Sequence, residues 1–127
     1  MPNTERPLSP HLQIYRPQMT SATSIFHRMT GAALALGALA VTGWLCAAAA
    51  GGVVRDSLQY FRTSLLGAMM LFGWLWCFVY HLLNGIRHLK WDTGYGLTIK
   101  SANLSGWLII ISSAIITVAI WIFGSVK

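Results

Sequence analysis

Histidines in unusual surroundings are the first chemical feature of this sequence. His27, followed by Arg28, opens a long apolar run, His81 lies inside a second run, and His88 follows the end of that run. An ionisable side chain in a stretch that can span a membrane is rare because its burial costs free energy, so it indicates function. Imidazole is a common ligand of haem iron. From its surroundings alone, His81 is either such a ligand or a side chain that hydrogen-bonds a neighbouring helix.

The residues around His27 share one face of a predicted helix. Ser24 precedes His27 by three residues and Arg28 by four, which is the spacing of neighbours on a helix surface. His27 and Arg28 could contact porphyrin propionates, since a guanidinium group binds carboxylates through two parallel hydrogen bonds. The simpler interpretations are that Ser24, in the Ser- and Thr-rich cluster 20–24, caps the helix and that Arg28 anchors it at the membrane surface.

The second apolar run carries a similar pattern around His81. His88 lies seven residues after His81, which is two turns along the same helix face, and Gly85 lies one turn after His81. Because glycine has no side chain, a flat molecule such as a porphyrin could lie against the helix there. Arg87 and His88 are then candidates to contact its propionates, and Arg87 could equally be a plain membrane anchor. A haem with two axial ligands would need the second one from a partner helix.

Composition places these residues in a membrane protein. Of the 127 residues, 55% are apolar and 9% are charged, and the formal net charge is +6. Soluble domains have about 25% charged residues, so the composition argues against a water-soluble globule. Three carboxylates in the whole chain leave little material for hydrolysis by paired carboxylates. The nine cations are scattered between apolar runs rather than gathered into a patch for nucleic acid, and positive residues beside membrane spans are common.

Three runs without Lys, Arg, Asp or Glu predict the architecture. They hold 26, 24 and 26 residues, and about 20 apolar residues suffice for a helix to cross a bilayer. In hydrocarbon a helix satisfies its own backbone hydrogen bonds. We therefore predict an all-α integral membrane protein with a single domain over 1–127 and transmembrane helices at about 23–51, 60–91 and 100–126. All four prolines fall near the N-terminus, so segment 1–22 is predicted to be extended.

Positive residues determine the predicted orientation. Six of the nine lie in the N-terminal segment and the second linker, and three lie in the first linker and at the C-terminus. Cytoplasmic segments carry the excess of Lys and Arg. The N-terminus is therefore predicted in the cytoplasm and the C-terminus in the periplasm of a bacterial inner membrane, with the mitochondrial inner membrane as the alternative. Ser24, Arg28 and His81 then all lie near the inner membrane face and could build one site.

Two stretches make the chain similar to a known family. The first combines Arg6–Leu12, which begins with Arg-Pro, and Ser24–Gly31, which contains Ser-x-x-His-Arg. The second, His81–Asp92, contains His-x-x-x-Gly-x-Arg-His followed by an Asp. In this order and at this spacing, the motifs resemble those of the cytochrome b subunit of succinate dehydrogenase, the larger of the two membrane anchors of complex II. The resemblance covers essentially the whole chain.

The resemblance implies a role for each candidate residue. His81 would be an axial ligand of one haem b, shared with a small hydrophobic anchor subunit that supplies the second ligand. Ser24 and Arg28 would line the ubiquinone site beside the iron–sulfur subunit. His27, Arg28 and His88 would contact the haem propionates. The three spans would form a bundle that the partner anchor subunit completes.

The resemblance also implies that the chain is a subunit of succinate:ubiquinone oxidoreductase, an enzyme of the tricarboxylic acid cycle and respiratory chain, and which subunit carries out each reaction. A flavoprotein subunit would oxidise succinate, and electrons would pass through the iron–sulfur subunit to ubiquinone. This chain has neither a dinucleotide-binding glycine motif nor a cysteine cluster, so we predict no succinate-oxidising site in it. The alternatives are a stand-alone electron-transfer cytochrome b of the membrane and a purely structural membrane anchor.

Overall fold

Four α-helices make up residues 17–125, the part of the chain that the computed structural model describes, and no strand occurs among those residues. The helices are α1 (Met19–Ala50), α2 (Gly52–Thr63), α3 (Leu65–Asp92) and α4 (Ile99–Ser125). Three of them, α1, α3 and α4, are long and apolar enough to cross a membrane. The all-α architecture with three spans is therefore confirmed.

The first span begins earlier than the sequence predicts. Helix α1 starts at Met19, directly after the extended backbone of Gln18 (φ −88°, ψ 147°). Residues 19–22 are thus helical, and the prediction of an extended segment 1–22 is wrong for them. Pro17 is the last of the four prolines, and once proline's restriction on its neighbours ends the helix can begin.

The Ser- and Thr-rich cluster 20–24 lies inside α1 rather than capping it. The N-cap residue is Gln18, whose side chain makes no capping hydrogen bond. Thr23 instead donates its hydroxyl proton back along the helix, with its Oγ1 3.0 Å from the carbonyl oxygen of Met19. The motif over Arg6–Leu12 lies outside the described residues.

A short helix occupies most of the predicted first linker. Gly51 and Gly52 have φ angles of 71° and 73°, a left-handed conformation that favours glycine, and this break separates α1 from α2. The extended residue Ser64 then separates α2 from α3, and its Oγ accepts a hydrogen bond from the backbone N–H of Gly67 over 3.1 Å. The second span therefore starts at Leu65 rather than near residue 60, because Ser64 caps it there.

Helix α3 contacts both α1 and α4, and α1 also contacts α4. Small residues let these helices approach closely: a side chain at Gly37 of α1 would overlap the indole ring of Trp74 on α3. Most large apolar side chains point outward, as they do when the surroundings are lipid or another apolar chain. The buried interior is unusually polar, with Thr23, Thr30, Asn84, Arg87, Ser113 and Thr117 among its members.

Candidate functional site

Three histidines meet where α1 crosses α3. The imidazole rings of His27 and His81 are stacked, with ring centroids 3.9 Å apart and planes 10° from parallel. The ring of His88 lies 5.1 Å from that of His27 at 48°. His27 therefore lies against both histidines of α3, so these residues, far apart in the sequence, meet where the two helices cross.

Two glycines face the imidazole rings, and one of them, Gly31, makes room for a ring. A Cβ atom added to Gly31 of α1 would lie 3.0 Å from Cε1 of His81, so only glycine leaves the ring unhindered there. On α3, a Cβ added to Gly85 would lie 4.0 Å from Cε1 of His27. The flat group that this chain itself places beside Gly85 is thus the His27 imidazole, and Gly31 is a site residue that the sequence reasoning missed.

Hydrogen bonds hold one edge of the His81 ring and leave the other edge unused. Its Nδ1 lies 3.1 Å from the backbone carbonyl oxygen of His27 and 3.2 Å from Oγ1 of Thr30. Within residues 17–124, no hydrogen bond involves Nε2. A histidine that ligates a metal through one nitrogen commonly donates its other N–H to a carbonyl oxygen, so this arrangement fits a ligand that uses Nε2.

The Nδ1 atom of His27, unlike that of His81, lacks a hydrogen-bond partner among the described residues. This atom is also buried. A buried polar atom without a partner costs free energy, so a group from outside the described residues is the natural partner for it. A carboxylate such as a haem propionate fits if this nitrogen carries the proton.

The two residues predicted for the quinone site lie on α1 beside this cluster. Ser24 is half-buried and Arg28 is exposed, one helical turn apart. Neither side chain forms a hydrogen bond to any residue of the described range 17–124. Both are therefore able to bind a molecule from outside the chain.

Arg87 lies inside the bundle instead of at the membrane surface. Only 5% of its surface is exposed. Its Nη1 donates to Thr23 of α1 at 2.9 Å and to Asn84 at 3.3 Å, its Nε to Ser105 of α4 at 3.0 Å, and its Nη2 to the carbonyl oxygen of Ala102 at 2.6 Å. The interpretations of Arg87 as a surface anchor or as a propionate contact are wrong for this reason.

Two further buried side chains of α3 bind the same turn of α1. The Tyr80 hydroxyl donates to the carbonyl oxygen of Thr23 at 3.0 Å, and Asn84 Nδ2 donates to it at 3.4 Å. Together with Arg87 these residues form what we call the Thr23 clamp: Thr23, Tyr80, Asn84 and Arg87. The sequence contains a pattern that could have predicted this clamp. Its three members on α3 are spaced by four and then three residues, which places Tyr80, Asn84 and Arg87 on one helix face.

Comparison with known proteins identifies the family. The family described as succinate dehydrogenase/fumarate reductase transmembrane subunit matches residues 2–120. The chain belongs to this family. It is 41% identical over 119 residues to the succinate dehydrogenase cytochrome b556 subunit of Rickettsia typhi, covering 93% of this chain and 92% of that protein.

Two other relatives extend the comparison. The cytochrome b556 subunit of succinate dehydrogenase from Paracoccus denitrificans is 43% identical over 113 residues, which cover 89% of this chain and 87% of that protein. The mitochondrial cytochrome b560 subunit from Sus scrofa is 39% identical over 121 residues, covering 92% of this chain and 70% of that protein. With three helices able to span a membrane, this transmembrane subunit is a multi-pass membrane protein.

Proposed function

We propose that this transmembrane subunit is the cytochrome b membrane anchor of succinate:ubiquinone oxidoreductase, with one haem b and a share of the ubiquinone site. The observation that carries the proposal is the hydrogen bonding of His81: Nδ1 is held by α1, and Nε2 is unused within the described residues. Ser24 and Arg28, on the same part of α1 as His27, supply polar groups that have no hydrogen-bond partner among residues 17–124. The names of the relatives, which are cytochrome b subunits, support the haem.

In this proposal, His81 would hold the haem iron through Nε2, and the small hydrophobic anchor subunit would supply the other iron ligand. His27, Arg28 and His88 bind the haem propionates. The haem accepts and releases one electron at a time when it is bound.

Ubiquinone binds on the α1 side of the cluster. The Ser24 hydroxyl donates a hydrogen bond to a quinone carbonyl oxygen, and the Arg28 guanidinium stabilises negative charge that develops on the oxygens during reduction. Reduction to ubiquinol needs two electrons and two protons. The electrons come from succinate through the flavoprotein and iron–sulfur subunits, and the protons come from water or a partner residue. This chain oxidises no succinate itself.

The charge pattern supports a location and an orientation for the chain. We infer a bacterial inner membrane with the N-terminus in the cytoplasm, which puts Ser24, Arg28 and His81 near the cytoplasmic face. A mitochondrial inner membrane with the N-terminus in the matrix is the equivalent arrangement. The partner anchor subunit then packs against the exposed apolar faces and completes the bundle.

The test of the quinone role uses the purified complex with the variant Arg28→Ala. We expect electron transfer from succinate to ubiquinone to fall at least tenfold, while succinate oxidation by an artificial dye stays at the wild-type rate. Arg55→Ala is the matched control, since Arg55 is exposed on α2, and it should leave both rates unchanged. Electron transfer to ubiquinone at the wild-type rate in Arg28→Ala would contradict the quinone role, whereas equal loss of both activities would indicate failed assembly.

The same preparation separates the alternatives. A dithionite-reduced absorbance spectrum, recorded beside the subunit bands, should show haem together with all four subunits. Haem in the isolated chain without a dehydrogenase would favour the stand-alone cytochrome. A complex with neither haem nor dependence on quinone would favour the purely structural anchor.

A further inference from the structure

Thr30 contacts the predicted haem ligand at the centre of the α1–α3 crossing. Only 3% of its surface is exposed. Its Oγ1 lies 3.2 Å from Nδ1 of His81, and also 2.8 Å from the carbonyl oxygen of Phe26 and 3.0 Å from that of His27. The positions of the protons on this buried hydroxyl and on His81 follow from which of the neighbouring atoms can donate a hydrogen bond and which can only accept one.

The carbonyl oxygens decide where the protons lie. The carbonyl oxygen of His27, 3.1 Å from Nδ1 of His81, can only accept, so Nδ1 donates to it. Because Nδ1 then has no lone pair to offer, the single proton of the Thr30 hydroxyl points back along α1 to the carbonyl oxygens of Phe26 and His27. Oγ1 therefore presents a lone pair to His81.

Because Thr30 Oγ1 and the His27 carbonyl oxygen both act as acceptors, Nδ1 of His81 carries the proton and Nε2 carries the lone pair. This is the tautomer that binds a metal through Nε2. The two acceptors also fix the rotation of the ring about its axis, since Nδ1–H must stay directed at α1. The close approach of the ring to Gly31, whose added Cβ would lie 3.0 Å from Cε1, restricts it from the same side.

We propose that Thr30 is a positioning residue for iron ligation, which sets the tautomer and orientation of His81 and tunes the reduction potential of the haem. The proposal rests on the proposed function, because it assumes that His81 is the ligand. Acceptors on Nδ1–H increase the electron donation of an imidazole to its metal and so favour the ferric state. Thr30 should therefore hold the midpoint potential lower than His27 alone would.

The competing interpretation is that Thr30 only bonds back to its own helix, as threonines in helices often do. Thr42 provides a matched comparison on the same helix. Its hydroxyl donates to the carbonyl oxygen of Ala38 at 2.9 Å, and the residue is exposed. Both hydroxyls thus donate to the carbonyl oxygen four residues earlier, and of the two only Thr30 also faces a histidine.

The experiment compares Thr30→Val, Thr30→Ala, Thr30→Ser and Thr42→Val in the whole complex purified in mild detergent. The readouts are a potentiometric titration of the haem absorbance and the electron paramagnetic resonance spectrum of the ferric haem. Thr30→Val keeps the shape of the side chain and removes the acceptor. We expect its midpoint potential to shift upward and its low-spin resonance positions to shift or broaden. Thr30→Ser and Thr42→Val should match the wild type.

The experiment tests the positioning role of Thr30 separately from the assignment of His81 as the haem ligand. A wild-type potential and resonance spectrum in Thr30→Val would overturn the proposal, and so would an equal shift in Thr42→Val. Loss of haem from an otherwise complete Thr30→Val complex would support it. If Thr30→Val does not assemble, Thr30→Ala, which removes the hydroxyl without adding bulk, is read by the same criteria. A low-spin spectrum retained by His81→Leu would instead refute the ligand assignment in the proposed function.

Discussion

Arg87 of α3 donates a hydrogen bond from Nη1 to Oγ1 of Thr23 on α1 over 2.9 Å. Thr23 directly precedes Ser24, so this bond fixes the backbone position from which the predicted quinone ligand projects. The same guanidinium binds Ser105 and Ala102 of α4. One buried side chain therefore joins the three membrane spans at the level of the site.

Replacing Arg87 with lysine should destabilise the bundle. Lysine keeps the charge but is a compact point donor that cannot reach all these partners in the planar fork of a guanidinium, and each lost hydrogen bond to a charged group costs about 1.5–3 kcal/mol. We expect a lower temperature of thermal unfolding for the Arg87→Lys complex in detergent. Arg62→Lys on α2, where the side chain is exposed, makes the same chemical change and should have no effect. An unchanged unfolding temperature for Arg87→Lys would contradict the role of the clamp.

Removing one hydroxyl should weaken the Thr23 clamp by a smaller amount. Tyr80 is 1% exposed, and its hydroxyl is one of two donors to the Thr23 carbonyl oxygen. Tyr80→Phe should cost about 1 kcal/mol, measured by thermal unfolding of the complex. The control is Tyr60→Phe, since Tyr60 is 79% exposed. Equal effects of the two variants would show that the buried bond adds nothing.

His81→Leu should abolish the low-spin haem spectrum. Leucine has no nitrogen to bind iron and is of similar size, so the helix itself should remain intact. The measurement is the dithionite-reduced difference spectrum of the complex, with subunit bands as the check on assembly. Phe78→Leu, one turn earlier on α3 and exposed, should keep the spectrum. Low-spin haem in an assembled His81→Leu complex would rule out ligation by this residue.

Gly31→Ala should displace the His81 ring, because the added Cβ would lie 3.0 Å from Cε1 of that ring. We expect shifted resonance positions of the ferric haem or partial loss of haem. Gly43→Ala is the matched control on the same helix, since nothing lies within 4 Å of a Cβ there. It should leave the haem unchanged, and alanine's greater helix propensity, about 1 kcal/mol, favours the helix. Identical haem spectra in the two variants would mean that the His81 ring has room to move.

Much of the architecture was predictable because membrane spans obey local rules. A run of uncharged residues long enough to cross a bilayer must be helical there, and α1, α3 and α4 follow from that alone. His81 stood out for the same reason, as an ionisable residue inside such a run. The break between α2 and α3 was less predictable, since the cap at Ser64 depends on one hydroxyl and the backbone around it.

The sequence by itself determined the class of protein, the three spans and the residue types that point to haem and quinone chemistry. Only the tertiary structure decided that Arg87 lies inside the bundle, that His27 stacks on His81, and that Thr30 lies within hydrogen-bonding distance of His81 Nδ1. Span formation depends on composition within one segment, whereas these contacts depend on how α1 and α3 are rotated and how closely they approach. The rotation of the two helices and the distance between them result from side chains on both. A small residue such as Gly31 leaves space on its helix, and the sequence alone does not show which side chain of the other helix fills it.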